Sequence, residues 1–252
     1  MFEVSFDLAM LLLGAAFLAG FVDAIAGGGG LITVPILIMA GASPLQALST
    51  NKVQGVFGAA TAALSYAGSG HVNLRTQWKA ALLSGCAGLL GAVLVSKIPT
   101  DGLRYALPVI LIAIAAFFAF RPGLGDEDRA QRMPPATFTA FIVPLIGFYD
   151  GLIGPGTGSF FMIGFVMLAG YGVLKATAHT KLLNFASNTG GLIGFAAMGA
   201  PWWIMGLSMG VAQIFGARLG SHMAMKNGAR LIRPLLVATS SLLALKLIWD
   251  LL

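Results

Sequence analysis

Two aspartates, each followed by a glycine-rich break in an apolar run, are the residues with the clearest capacity for chemistry in this sequence. Asp23 begins a break that ends with four consecutive glycines at Gly30, and Asp150 begins a second break that ends at Ser159. A carboxylate at membrane depth is costly and by default functional, and burial favours its protonated form, so each aspartate is a proton-coupling candidate. The alternative is that each carboxylate caps the amides of its own break. The residues leave both roles open.

The glycines of the two breaks predict a binding site for a small anion. Glycine lets the chain turn sharply and lets a ligand approach the main chain. A short apolar segment follows each break, and such a helix would direct its unpaired amides and the positive end of its dipole toward the protein centre. Two such ends meeting across a pseudo-two-fold axis would form a cradle for an oxyanion. The substrate-binding residues predicted in the breaks are Gly28, Gly29, Gly30, Gly156, Thr157, Gly158 and Ser159.

Polar residues at the start of the next long apolar segment in each half extend this predicted site. Helical spacing places Asn51 and Gln54 on one face in the first half. The same spacing unites Lys181, Asn184 and Asn188 in the second half, and both faces should point inward because lipid offers amides no hydrogen bonds. The lysines are candidate partners of the anion, although they could instead extend to the membrane interface. The full predicted set is Asn51, Lys52, Gln54, Thr180, Lys181, Asn184 and Asn188.

The composition excludes a soluble domain and predicts an all-α polytopic membrane protein. Of 252 residues, 58% are hydrophobic and only 10% are charged, and the mean hydropathy is +0.88. Several runs approach the ~20 apolar residues that span a bilayer. The net charge of +6 includes no basic patch interleaved with aromatics, so no nucleic acid partner is expected. One cysteine, Cys86, and three scattered histidines offer no metal set, and no cofactor is expected.

The apolar runs follow the same order twice, which predicts an internal duplication. They are residues 8–25, 31–40, 45–67, 78–95 and 103–120, and then 136–153, 160–169, 174–198, 202–223 and 231–251. When the halves are aligned, Asp23 lies on Asp150 and, after two extra residues in the second copy, Lys52 lies on Lys181. The predicted units are a first membrane repeat at 1–120, a linker at 121–135 and a second membrane repeat at 136–252.

The loop charges predict the topology of these repeats. If each half-length run turns back to the side it came from, nine loop lysines and arginines share one side, and only Lys97 and Arg104 lie opposite. A kinked spanning helix would divide the charges almost equally, so the positive-inside rule favours the re-entrant arrangement with a cytoplasmic linker and periplasmic termini. Each repeat then has a re-entrant, broken-helix hairpin plus three transmembrane helices. The two repeats have inverted topology, as in many secondary transporters.

The repeated motif resembles that of a known family. Residues 26–35, an alanine and four glycines followed by Leu-Ile-Thr-Val-Pro, precede a Ser-Thr-Asn-Lys sequence that ends at Lys52. Residues 151–158 are also glycine-rich, and Thr180, Lys181 and Asn184 follow them. Both motifs are similar to those of the TauE/SafE family of sulfite and organosulfonate exporters, and the resemblance covers essentially the whole chain. It implies export of small sulfur-containing anions across a bacterial inner membrane.

The residues and the resemblance together predict a secondary exporter of sulfite or a short organosulfonate such as sulfoacetate, coupled to an ion gradient by alternating access. The expected partners are this small anion and the lipid bilayer, and the oligomeric state stays undetermined. An importer of a small anion or organic acid is the nearest alternative, because residues do not encode direction. An anion channel is another alternative. An intramembrane enzyme is disfavoured, because the sequence offers no nucleophile–base pair.

Overall fold

The described elements of the chain are helices, which confirms the all-α class. The computed structural model describes residues 6–95, 120, 125–198 and 201–249. Most of the predicted apolar run at 103–120 lies outside the described residues. The same is true of Lys97 and Arg104, whose charges entered the topology prediction, and of the first residues of the predicted linker.

The described helices follow the order of the predicted apolar runs. In the first half they are α1 (Phe6–Ala26), α2 (Gly30–Met39), α3 (Pro44–Gly68) and α4 (Trp78–Leu94). In the second half they are α5 (Pro135–Leu152), α6 (Thr157–Ala169), α7 (Val173–Ala197), α8 (Trp203–Asn227) and α9 (Ala229–Trp249). Helices α5 and α6 each contain a π-helical section, at Phe138–Ile142 and Phe165–Ala169.

Glycines separate each short helix from the longer helix before it. Gly27 and Gly28 have φ values of +80° and +97°, and Gly154 and Gly156 have φ values of +90° and +88°. Side chains disfavour this left-handed conformation, so glycine is the natural residue at these positions. The ten residues of α2 extend about 15 Å, which is half of a hydrocarbon core. The predicted interruptions and the predicted half-length segment are therefore present.

The linker contacts three helix ends at one side of the protein. The amide of Arg129 donates a hydrogen bond of 2.6 Å to the carbonyl of Gly170, just after α6. The carboxylate of Asp126 accepts amide hydrogens from Leu174 in α7 and from Ala229 in α9, each at 3.0 Å. Since α5 also starts from the linker, α6 returns to the side from which α5 enters.

A smaller apolar cluster joins helix ends of the first half. Leu12 near the start of α1 is buried together with Leu37 and Ala40 at the end of α2, and Leu8 and Trp202 pack against them. Helix α2 therefore returns to the side from which α1 enters. Trp202 immediately precedes α8, a helix of 25 residues whose other end reaches Asn227, beside the linker-bound start of α9. This cluster therefore lies at the end of the protein remote from the linker.

The packing forms two bundles that each combine helices from both halves of the sequence. Helix α1 packs along α8 and α8 along α3, while α2 contacts α1 and α3. In the same way, α5 packs along α4 and α4 along α7, while α6 contacts α5 and α7. The two bundles meet chiefly where α3 lies against α7. Helices that correspond in the alignment of the halves make corresponding contacts.

Glycines allow the close approach of helices within each bundle. A Cβ at Gly20 would lie 2.6 Å from the carbonyl oxygen of Gln213, and a Cβ at Gly147 would lie 2.7 Å from that of Ser84. Gly20 and Gly147 are equivalent in the alignment of the halves, and so are Gln213 and Ser84. Small residues at such crossings let backbones pack closely, which is how helices associate in lipid. The same contact is thus built twice.

Two helices in the described part of the chain, α1 and α5, are long and apolar enough by themselves to cross a membrane. Helices α3, α7 and α8 have 25 residues each, and their length of about 37 Å exceeds a hydrocarbon core. Polar side chains on their inner faces lower their hydropathy. Large apolar side chains are exposed on the outside, among them Leu64, Ile204 and Phe215. Contiguous apolar surface of this kind is suited to contact with lipid.

Candidate functional site

The two glycine breaks touch each other at the centre of the protein. A Cβ on Gly27 would lie 2.6 Å from the carbonyl carbon of Gly158, and a Cβ on Gly158 would lie 2.7 Å from the Cα of Gly27. The hydroxyl of Ser159 donates a 3.1 Å hydrogen bond to the carbonyl of Ala26, which ties the start of α6 to the end of α1. Only glycines allow the two main chains to come this close.

A small cavity lies beside this contact, with both breaks in its wall. About 30 Å³ of it is open to the centres of water-sized molecules. That is room for a few waters or one small ion, and far less than a drug-sized ligand requires. The predicted site residues that line the cavity are Asp23, Gly28, Gly29, Gly30, Asn51, Asp150, Gly156, Thr157, Gly158, Asn184 and Asn188. The structure thus brings most of the predicted set together.

Three glycines that line the cavity have main-chain amides without a hydrogen-bond partner in the part of the chain that the structure describes. Among the described residues, the amide nitrogens of Gly28, Gly156 and Gly158 make no hydrogen bond. In contrast, the amide of Gly29 donates to Asp23 Oδ1 at 3.1 Å. This contact is the capping interaction that was one of the two roles left open for Asp23. Proton coupling by this carboxylate stays a prediction.

The lysine of the first half forms a buried ion pair with the aspartate of the second half. Lys52 Nζ lies 2.7 Å from Asp150 Oδ1, and the two side chains are 1% and 2% exposed. The same carboxylate oxygen accepts a hydrogen bond of 2.9 Å from the hydroxyl of Thr157. Lys52 therefore does not extend to the membrane interface. It neutralises a carboxylate in the cavity wall.

The lysine of the second half pairs with the aspartate of the first half in the equivalent way, but more loosely. Lys181 Nζ lies 3.9 Å from Asp23 Oδ2, with 1% and 16% exposure. Its ammonium group instead donates a hydrogen bond to the main-chain carbonyl of Asp23. Two equivalent ion pairs therefore connect the two halves, one in direct contact at 2.7 Å and the other separated by 3.9 Å.

Amide side chains from three helices complete the wall. Asn51 Oδ1 accepts a hydrogen bond of 2.7 Å from the hydroxyl of Thr33, and Asn188 Nδ2 donates to Asn184 Oδ1 at 3.1 Å. Gln213 of α8 also lines the cavity. The sequence prediction missed it, although a buried amide in the middle of an apolar helix was a usable signal. Thr33, Gly55 and Gly154 were missed as well.

Five predicted residues do not line the cavity, and each supports residues that do or the helices around them. Gln54 Oε1 accepts a hydrogen bond from Gln213 at 3.2 Å, and Thr180 donates to the carbonyl of Ala176 on its own helix at 2.8 Å. Ser159 binds Ala26, as described above. Lys52 and Lys181 do not line the cavity, because their ammonium groups pair with the carboxylates of Asp150 and Asp23. The five are Lys52, Gln54, Ser159, Thr180 and Lys181.

The charges of the site indicate what it can hold. Two carboxylates face two ammonium groups, so the side chains are close to neutral in sum. The unpaired amides at the starts of α2 and α6 then add a partial positive charge. At the start of α2, the carboxylate of Asp23 balances part of this charge through the amide of Gly29. In the described part of the chain, no three histidine, cysteine or acidic side chains lie together as metal ligands would. The arrangement is suited to one small anion.

Comparison with known sequences agrees with the motif. The sequence model of the family described as "Sulfite exporter TauE/SafE" matches residues 12–247, which include both breaks and both ion pairs. The chain belongs to the TauE/SafE family. No solved structure matches it.

Relatives of this TauE/SafE protein cover nearly its whole length. It is 55% identical to "Probable membrane transporter protein ORF9" of Sinorhizobium sp, over 98% of this chain and 95% of the relative. It is 43% identical to "Probable membrane transporter protein YfcA" of Escherichia coli strain K12, over 99% and 94%. A "Probable membrane transporter protein" of Haemophilus influenzae is 41% identical, over 98% and 97%. These names and the apolar surface agree in placing the chain in a membrane.

Proposed function

We propose that this TauE/SafE protein is a secondary transporter that exports a small sulfur-containing oxyanion, sulfite or a short organosulfonate such as sulfoacetate, across a bacterial inner membrane. The observation that carries the proposal is the small cavity at the contact of the two breaks, where the amides of Gly28, Gly156 and Gly158 have no partner among the residues that the structure describes. The family description, sulfite exporter, supports the substrate class and the direction.

The cavity matches a compact anion in size and in charge. Its volume of about 30 Å³ leaves room for a ligand of a few heavy atoms. Helix N-termini and unpaired amides bind oxyanions without needing a positively charged side chain. Because Lys52 and Lys181 already compensate the two aspartates, the amide groups remain available for the substrate.

The proposed topology is a pair of inverted repeats, each with a re-entrant hairpin and three transmembrane helices. Support comes from the ends of the short helices: α6 ends beside the linker, whereas α2 ends in the apolar cluster remote from it. The excess of positive loop charges then makes the linker side cytoplasmic and the termini periplasmic. Broken helices near the midplane are typical binding elements of such transporters.

The moving bodies in our proposal are the two packing bundles rather than the two halves of the sequence. The bundle of α1, α2, α3 and α8 meets the bundle of α4, α5, α6 and α7 mainly between α3 and α7, which carry Lys52 and Lys181. In the described state, Lys52 is in direct contact with Asp150 at 2.7 Å, whereas Lys181 is 3.9 Å from the carboxylate of Asp23. In the opposite state, Lys181 would close on Asp23, and an ion gradient would act through these carboxylates.

The test is sulfite flux in proteoliposomes that contain purified protein, with an imposed pH gradient. Saturable, gradient-dependent flux is expected, with competition by at least one short organosulfonate. Asn51→Ala and Asn184→Ala should lower the rate about tenfold at low substrate concentration, because each removes an amide from the cavity wall. Ser208→Ala is the matched control, since this polar residue of α8 is exposed and bonds only within its helix.

Three results would contradict the proposal. Flux that rises linearly with concentration and shows no saturation would indicate a channel. Flux that accumulates the anion only in the import direction would reverse the assignment. Unchanged rates of sulfite flux in both asparagine variants would show that the cavity is not part of the transport pathway.

A further inference from the structure

A residue that lines the cavity has one buried oxygen atom without a hydrogen-bond partner in the described part of the chain. Asp150 is 2% exposed, and its Oδ1 receives both Lys52 and the hydroxyl of Thr157. Its Oδ2 is buried and, within the described residues, accepts no hydrogen bond. A buried carboxylate oxygen without a donor is destabilising, so native structures almost always satisfy it. Because Asp150 lines the cavity, a ligand bound there can supply the missing donor once the carboxylate turns toward it.

The rest of the cavity wall needs a hydrogen-bond acceptor rather than a donor. Within the described ranges, the amides of Gly28, Gly156 and Gly158 are donors without acceptors. A ligand that satisfies the whole wall therefore presents several acceptor oxygens to the amides and one donor hydrogen to Asp150 Oδ2. A fully deprotonated dianion would place negative oxygens against this carboxylate, and a sulfonate without a hydroxyl would leave it unsatisfied.

A metal cation fits this wall less well than a donor hydrogen does. Cations bound by oxygen need several oxygen ligands at once. The carbonyl oxygens of Gly28, Gly29, Gly154 and Gly156 in the breaks already accept amide hydrogens from Leu31, Ile32, Thr157 and Ser159 in turn. The free main-chain groups of the breaks are thus mainly N–H donors, which repel a cation, and side-chain oxygens such as those of Asp23, Asn51 and Asp150 would have to bind it.

We infer that the site selects singly charged sulfur oxyanions that carry their own hydrogen-bond donor, and that Asp150 Oδ2 accepts this hydrogen. Hydrogensulfite and hydroxyl-bearing sulfonates belong to this class. Sulfate and unsubstituted alkanesulfonates do not, and neither does sulfoacetate, which at neutral pH is a dianion without a donor hydrogen. The inference rests on the proposed function and narrows its substrate class. It assigns Asp150 to substrate selection in addition to its ion pair with Lys52.

The test compares two probes that differ by one hydroxyl group, 2-hydroxyethanesulfonate and ethanesulfonate. Each competes with labelled sulfite for uptake into proteoliposomes, and each is also tested for thermal stabilisation of the wild-type protein in detergent. 2-Hydroxyethanesulfonate should act at a concentration about tenfold lower or more, because ethanesulfonate leaves the buried oxygen unpaired. Asp150→Asn replaces one carboxylate oxygen by an N–H donor and should abolish or invert this preference.

The outcomes separate this inference from the proposed function. Equal action of the two probes on the wild-type protein, or stronger action of ethanesulfonate, overturns the inference and leaves sulfonate transport in place. If the preference for the hydroxyl-bearing probe appears only in sodium buffer and vanishes in choline buffer, Asp150 Oδ2 binds a cation. That result also overturns the inference. If neither probe nor sulfite competes or stabilises, the proposed function fails. If Asp150→Asn does not fold, the comparison of the two probes on the wild-type protein still tests the inference.

Discussion

Replacing Lys52 with methionine should destabilise the protein more than the same replacement at Lys181. At an effective dielectric constant of about 20, the attraction is about 6 kcal/mol across the 2.7 Å of Lys52–Asp150 and about 4 kcal/mol across the 3.9 Å of Lys181–Asp23. Desolvation offsets much of each value. Removal of one partner, however, leaves a buried charge uncompensated, which costs about 3–5 kcal/mol.

The two sites differ in what remains after the lysine is gone. Asp150 would keep only the hydroxyl of Thr157 and is 2% exposed, so the full cost is expected there. Asp23 is 16% exposed and keeps the amide of Gly29, so a loss of about 1–3 kcal/mol is expected for Lys181→Met. Since 1 kcal/mol shifts Tm by about 2–4 °C in a chain of this size, the expected shifts are about 6–20 °C and about 2–12 °C.

Thermal unfolding in detergent, followed by tryptophan fluorescence, measures both shifts. The double variant Lys52→Met with Asp150→Asn removes both charges and should recover most of the loss, because a neutral buried pair needs no compensation. Equal shifts at Lys52 and Lys181 would refute the reasoning. A double variant no more stable than Lys52→Met would refute it as well.

Three further perturbations have defined outcomes. Gly27→Ala should lower flux at least about tenfold, because its Cβ would lie 2.6 Å from the facing break at φ +80°, whereas Gly14→Ala, with no neighbour within 4 Å, should match the wild type. Hydrogen bonds from Lys175 and from a main-chain amide lower the pKa of Asp128 in the linker. A lowered folded-state pKa gives stability that is lost as pH falls through it, so hydrogen exchange of the linker should accelerate on acidification, and Asp128→Asn should remove this response. In a background without the native cysteine, Ser69→Cys should react with an impermeant maleimide only from the cytoplasmic side; labelling only from outside would reverse the orientation.

The sequence by itself determined the elements of the site. The breaks followed from glycine runs that interrupt apolar segments, and the structure has helix ends at Ala26 and Leu152 and left-handed glycines after them. The equivalence of Asp23 with Asp150 and of Lys52 with Lys181 also followed from the alignment of the halves. These are local features, because backbone conformation and lipid exposure depend on nearby residue types.

Only the tertiary structure decided how these elements combine. Lys52 and Asp150 are 98 positions apart, and Lys181 and Asp23 are 158 positions apart, so no local pattern joins them. Each lysine pairs with the aspartate of the other half because α3 packs against α7. Gln213 lies in the cavity wall because α8 packs against α3. Sequence spacing indicated lysines that hold an anion directly. Burial gave them the aspartates as partners instead, because a charge removed from water is stable only beside an opposite charge.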